Sequence, residues 1–156
     1  MSKRGKQTED DRTARPVLEQ LRKHRKVLEM RNYTQHGRIS TYEHCERVAA
    51  FSGRINRRLH LNADEDTLLT GAMLHDFYLY DWHNKDGGSH NLHGYIHADR
   101  ALENARRYFH VDEKTAHVIR CHMWPLNITR LPRSREAWIV CIADKCVSVK
   151  ETLFER

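Results

Sequence analysis

The sequence predicts an all-α fold, a single helical bundle of about six main helices. Three observations lead there. Apolar residues recur at spacings of three and four along most of the chain, and no segment alternates with period two. Proline, glycine and acidic or hydroxyl residues punctuate these periodic stretches where helices start and stop. At 156 residues with 39% hydrophobic and 31% charged side chains, the chain can bury one core without disulfide staples.

Residues 1–15 are polar, charged and aperiodic, so they read as a disordered basic tail preceding a domain over 16–156. Pro16 suits the first turn of a helix running to about Arg31, with Val17, Leu21, Val27 and Leu28 available to pack. Gly37 interrupts, and Ser40 or Thr41 can cap a second helix over about Thr41 to Leu59. There His44, Val48, Phe51 and Ile55 share one face. A third helix, about Asp64 to His75, opens on acidic residues and puts Leu68, Ala72 and His75 together. The run from Tyr80 to Ser89, with Gly87-Gly88, reads as a loop. A fourth helix follows over about His97 to Phe109, with Ala101, Ala105 and Tyr108 on one side. The fifth runs from near Asp112 to His122, where Trp124-Pro125 ends it. The sixth, about Arg133 to Phe154, carries Val140, Asp144 and Val147 together.

Charge and cysteine content narrow the setting. The net charge is +6, of which residues 1–32 supply +5 from ten Lys/Arg and five Asp/Glu. This favours a solvated tail and helix face, with nucleic-acid contact or substrate steering through the basic segment as the less favoured alternative. No apolar run is long enough to span a bilayer or to follow the basic start as a secretory signal, so a cytoplasmic location without membrane contact is expected. Cys45, Cys121, Cys141 and Cys146 form no CxxC pair and read as reduced core residues.

Twelve histidines are the most unusual count. From the second helix onward, each helix brings His or Asp onto or near its apolar face: His44, His75 with Asp76, His97, His122 and Asp144. A buried aspartate is costly unless paired or metal-bound, and Asp144 lies in the otherwise apolar WIVCIADKCVSV.

This series resembles the H…HD…H…H…D signature of the HD-domain superfamily of metal-dependent phosphohydrolases. TYEHCERVA is similar to the family's first-histidine helix and GAMLHDF to its central segment. HADRALENA, IRCHMWP and IVCIADK resemble its HPxxGA-like segment, late histidine and final aspartate. The resemblance spans roughly residues 38–150. It implies one or two divalent transition-metal ions, Fe, Mn, Co, Ni or Zn, which imidazole and carboxylate ligands suit. His44, His75, Asp76 and Asp144 would hold one ion, and Asp76 would bridge to a second held by His97 and His122. The implied reaction is hydrolysis of a phosphomonoester or phosphodiester by a metal-activated water, the substrate being a phosphorylated small molecule such as a nucleotide.

Several residues compete for roles. His93 rivals His97, but spacing to His122 and the HPxxGA-like frame favour His97. His83 and His90 fall in the loop, and His117 should point away from His122. Where many family members read HDIGK-like, this chain reads HDFYLYDWH, which removes the usual lysine. Lys145, Lys85 or Arg47 can replace its charge, Lys145 being the first choice for a substrate-contacting cation and, with Asp76, a catalytic residue. The aromatic and basic segment 80–95 is the candidate specificity region. Two other functions stay open: a di-iron oxygenase on the same ligands, and a metal-containing nucleotide or nucleic-acid binding module without turnover.

Overall fold

The computed structural model describes residues 15–81 and 93–154, with the side chains of His93 and Tyr95 outside the description. The basic tail over 1–14 and most of the 80–95 segment, including His83, Lys85 and His90, therefore lie outside the described residues. Seven α-helices are described: α1 (Pro16–Lys23), α2 (Arg25–Leu28), α3 (Thr41–Arg58), α4 (Glu65–Leu74), α5 (His93–Tyr108), α6 (Glu113–Cys121) and α7 (Arg135–Phe154). The all-α class holds, and no described helix is long and apolar enough to cross a membrane.

Three local departures from the sequence reading have physical causes. The first predicted helix is broken at His24, whose extended backbone ends α1 and whose ring accepts the Lys26 N–H to open α2. That ring also packs on Phe109, with centroids 4.5 Å apart. A 3₁₀ turn over Glu29–Asn32 completes the segment. A short antiparallel ribbon then forms, β1 (Thr34–His36) with β2 (Ile39–Ser40), turning at Gly37 with φ 55°. Strands of three and two residues are too short to show alternation. Finally, α5 starts at His93, one turn before the expected His97.

The longer helices start as their sequences dictate. Ser40 and Glu43 form a reciprocal capping box on α3. Asp64 and Asp112 accept the N–H groups of Thr67 and Thr115, each at 2.8 Å, opening α4 and α6. Those backbone hydrogen bonds hold both carboxyls below their usual values. A lowered folded value stabilises above the unfolded one and is lost as pH falls through the folded one. Asp64→Ala is thus expected to cost about 1 kcal/mol near neutrality. Its melting deficit should shrink as the buffer is taken below about pH 4; a deficit unchanged there would contradict a charged cap.

The core centres on α4, which packs against α1, α3, α5, α6 and α7 and is buried nearly all round. Leu68, Met73, Leu74, Phe77 and Ile119 are fully enclosed. Gly71 lets α4 approach α6 closely: a Cβ there would lie 2.5 Å from Val118 Cγ1 and 2.9 Å from its Cβ. Overpacking of this kind costs about 1–3 kcal/mol, more than the roughly 1 kcal/mol alanine contributes as a helix former. Gly71→Ala should therefore lower the melting temperature by several degrees, and a raised one would contradict the close approach.

Candidate metal centre

Helix ends and inward helix faces bring the six predicted residues together. His44 projects from the first turn of α3, and Asp144 from the middle of α7. α4 ends at Leu74, with His75 as its C-cap and Asp76 in the turn beyond, where Phe77 N–H reaches Leu74 O. That end lets adjacent residues serve one cluster, which a straight helix would not allow. His97 lies in α5, and His122 caps the C-terminus of α6. All six are buried, none more than 7% exposed.

The donor atoms fall into two groups that meet at Asp76. On one side His44 Nε2 lies 3.0 Å from Asp144 Oδ1 and 3.8 Å from Asp76 Oδ2. His75 Nε2 lies 3.5 Å from Asp144 Oδ1 and 3.4 Å from Asp76 Oδ2. On the other, His97 and His122 bring their Nε2 atoms to 2.9 Å of each other, and to 3.3 and 3.4 Å of Asp76 Oδ1. Donors each about 2.1 Å from one ion, at tetrahedral or octahedral angles, stand roughly 3.0–3.4 Å apart. The His97–His122–Asp76 group matches that spacing closely, and the other group, at 3.0–3.8 Å, is slightly wider. Two buried atoms in the cluster, His75 Nε2 and Asp76 Oδ1, have no hydrogen-bond partner among the described residues.

Neighbouring groups orient these ligands. His75 Nδ1 and His122 Nδ1 each lie 2.7 Å from a carbonyl three residues back, Ala72 O and Ile119 O. Only an N–H can donate there, so Nε2 is the atom turned to the cluster. His44 Nδ1 donates to Glu151 Oε2 at 2.8 Å, and Glu151 in turn accepts from Arg47 at 3.2 Å. Gln35 Nε2 donates to Asp76 Oδ2 at 2.6 Å, and Tyr78 donates to Gln35 Oε1 at 2.5 Å. Burial and the Asp76 charge raise the Tyr78 phenol well above its usual value, which keeps that proton in place.

The site is short of positive charge. Burial disfavours a charged His44, yet hydrogen bonds to Asp144 and Glu151 outweigh it and raise the imidazole to about 10. His75 is likewise raised against its burial by the charge of Asp76. Asp76 and Asp144 are held well below the carboxylate range, against burial, by His75 and His44 respectively and by the other ring contacts. His122 moves the other way, lowered chiefly by burial, which suits a neutral ligand. The carboxylates thus draw protons onto two imidazoles, compensation that a divalent ion can supply instead. The fit is to a metal held by nitrogen and oxygen donors. His44, His75 and Asp144, and separately His75, Asp76 and His122, present ligand atoms close enough to share an ion.

The remaining candidates sort differently. His117 accepts the Arg133 N–H at 2.9 Å, away from the cluster. Arg47 is turned to Glu151, whereas Lys145 lines the cleft over the cluster and donates to His122 O at 2.9 Å. Cys45, Cys121 and Cys141 are buried as expected, but Cys146 is exposed, a correction to the core assignment. The cleft holds about 460 Å³ between Gln35, His36, Met123, Pro125, Leu126, Lys145 and Ser148. A larger cavity of about 620 Å³, between α1, α4 and the α5–α6 turn, touches none of the six residues. Sequence reasoning missed Gln35, His36 and Glu151. Glu151 alone carried a signal: it lies seven residues after Asp144, on the same helix face.

A family model of the HD domain matches residues 41–148, which includes all six residues. No curated protein and no solved structure matches the chain. The matched span covers more than half of the sequence, and the chain belongs to the HD domain family.

Proposed function

We propose that this protein is a metal-dependent phosphohydrolase acting on a phosphomonoester or phosphodiester of a nucleotide or related small molecule. The observation that carries the reading is Asp76, which turns one oxygen to His44 and His75 and the other to His97 and His122. That is how a carboxylate bridging two ions is placed. His44, His75, Asp76 and Asp144 would hold one ion, and Asp76, His97 and His122 the second. Two such ions would supply an activated water and charge compensation at phosphorus.

The chain itself supplies orientation, binding and exclusion of water. Gln35 and Glu151 hold Asp76 and His44 in place from outside the cluster. Lys145, already at the cleft wall, would turn its ammonium from the His122 carbonyl to a substrate phosphoryl oxygen. Met123, Pro125 and Leu126 offer an apolar wall to the rest of the substrate. The cleft volume lies in the range of small-molecule sites.

The test is phosphate release from a panel of nucleotides and aryl phosphate esters by protein loaded with Mn²⁺, Fe²⁺, Co²⁺, Ni²⁺ or Zn²⁺. Turnover of at least one ester is expected. Lys145→Ala should raise KM about tenfold at unchanged metal content, as loss of one charge-assisted hydrogen bond predicts. Iron protein that consumes oxygen with a substrate and releases no phosphate would replace this reading with an oxygenase. Metal-loaded protein that binds nucleotides and turns over no ester would replace it with a binding module.

A further inference from the structure

The outward face of α7 is as apolar as its inward face. Ala137, Val140, Ala143 and Val147 pack into the core, and Asp144 and Glu151 reach the metal cluster. On the opposite side Trp138, Ile142, Val149 and Leu153 are 37%, 51%, 58% and 62% exposed, with exposed Cys146 between them. An exposed apolar stripe along a helix marks an interaction surface, so a covering is called for.

We infer that this face is the interface of a two-fold symmetric dimer formed with a second copy of the chain. The spacing of the stripe identifies the partner. Trp138 and Leu153, and also Ile142 and Val149, are equidistant from a point between Lys145 and Cys146. Two α7 helices packed antiparallel about an axis there would place Trp138 against Leu153 and Ile142 against Val149, twice over. An isologous interface requires this self-matching, which a different partner would not.

Lys145 is the one charged residue of α7 that falls within the stripe, and its ammonium is turned aside. It leans instead onto the His122 carbonyl and Cys141. Trp124 packs edge-on against Trp138 at 5.1 Å and widens the apolar surface at that end.

The test is sedimentation of the full chain at micromolar concentrations, beside Ile142→Glu and Val149→Lys. A dimeric parent is expected, with both variants monomeric at unchanged helical circular dichroism, because the replaced side chains are exposed. A short bismaleimide should link the parent through Cys146 into a covalent dimer that Cys146→Ser cannot form. A parent that stays monomeric at every concentration overturns the inference. So does a dimer that both variants leave intact.

Discussion

Asp76→Asn protein is expected to stay folded and to lose phosphate release by at least a thousandfold, about 4 kcal/mol of transition-state stabilisation. Asparagine preserves the shape and the contact with Gln35 but removes the charge. Among the described residues Asp76 is the one whose two oxygens face both imidazole groups, so the exchange removes the anionic ligand that both would share. Assays with each candidate ion at saturation separate weakened binding from lost chemistry. Retained turnover in any of them would mean that Asp76 is not the bridging group.

Glu151→Ala should have the next largest effect, although Glu151 would touch neither ion nor substrate. It is a fully buried carboxylate joined to His44 Nδ1 and to Arg47. Truncation leaves a buried imidazole N–H without an acceptor and releases the ring that Glu151 fixes. Removing one partner of a buried charged pair costs about 3 kcal/mol or more, and losing a carboxylate behind a metal-bound histidine costs roughly 10–100-fold in metal affinity. Glu151→Gln retains an acceptor and should recover most of the stability but only part of the affinity. A merely structural Glu151 would show the stability loss with metal affinity unchanged, once binding is measured on the folded fraction.

The ligand-type residues were legible because each is a polar side chain on an otherwise apolar helix face, a placement that periodicity exposes. His75 and Asp76 needed the helix to end between Leu74 and Phe77, which their adjacency hinted at and the structure supplies. Gln35 was not legible: it lies on a three-residue strand, and glutamine is not a residue type sought as a ligand. The break at His24 was hidden because the apolar spacing of Val17, Leu21 and Val27 continues through it, while the ring's tertiary contact with Phe109 takes over from helix propensity. The outward stripe of α7 was hidden for the opposite reason. Its two faces differ too little in polarity for the pattern to say which one is inside.

The central claim is that six side chains from α3, the end of α4, α5, the end of α6 and α7 form one two-ion centre. Metal content per chain, measured on anaerobically purified protein beside Asp76→Ala, tests it most directly. The account predicts about two ions per chain in the parent, as a bridged pair requires, and a sharp fall in the variant at unchanged helix content. A folded parent that carries no metal and takes up none when offered Mn²⁺, Fe²⁺ or Ni²⁺ would contradict it.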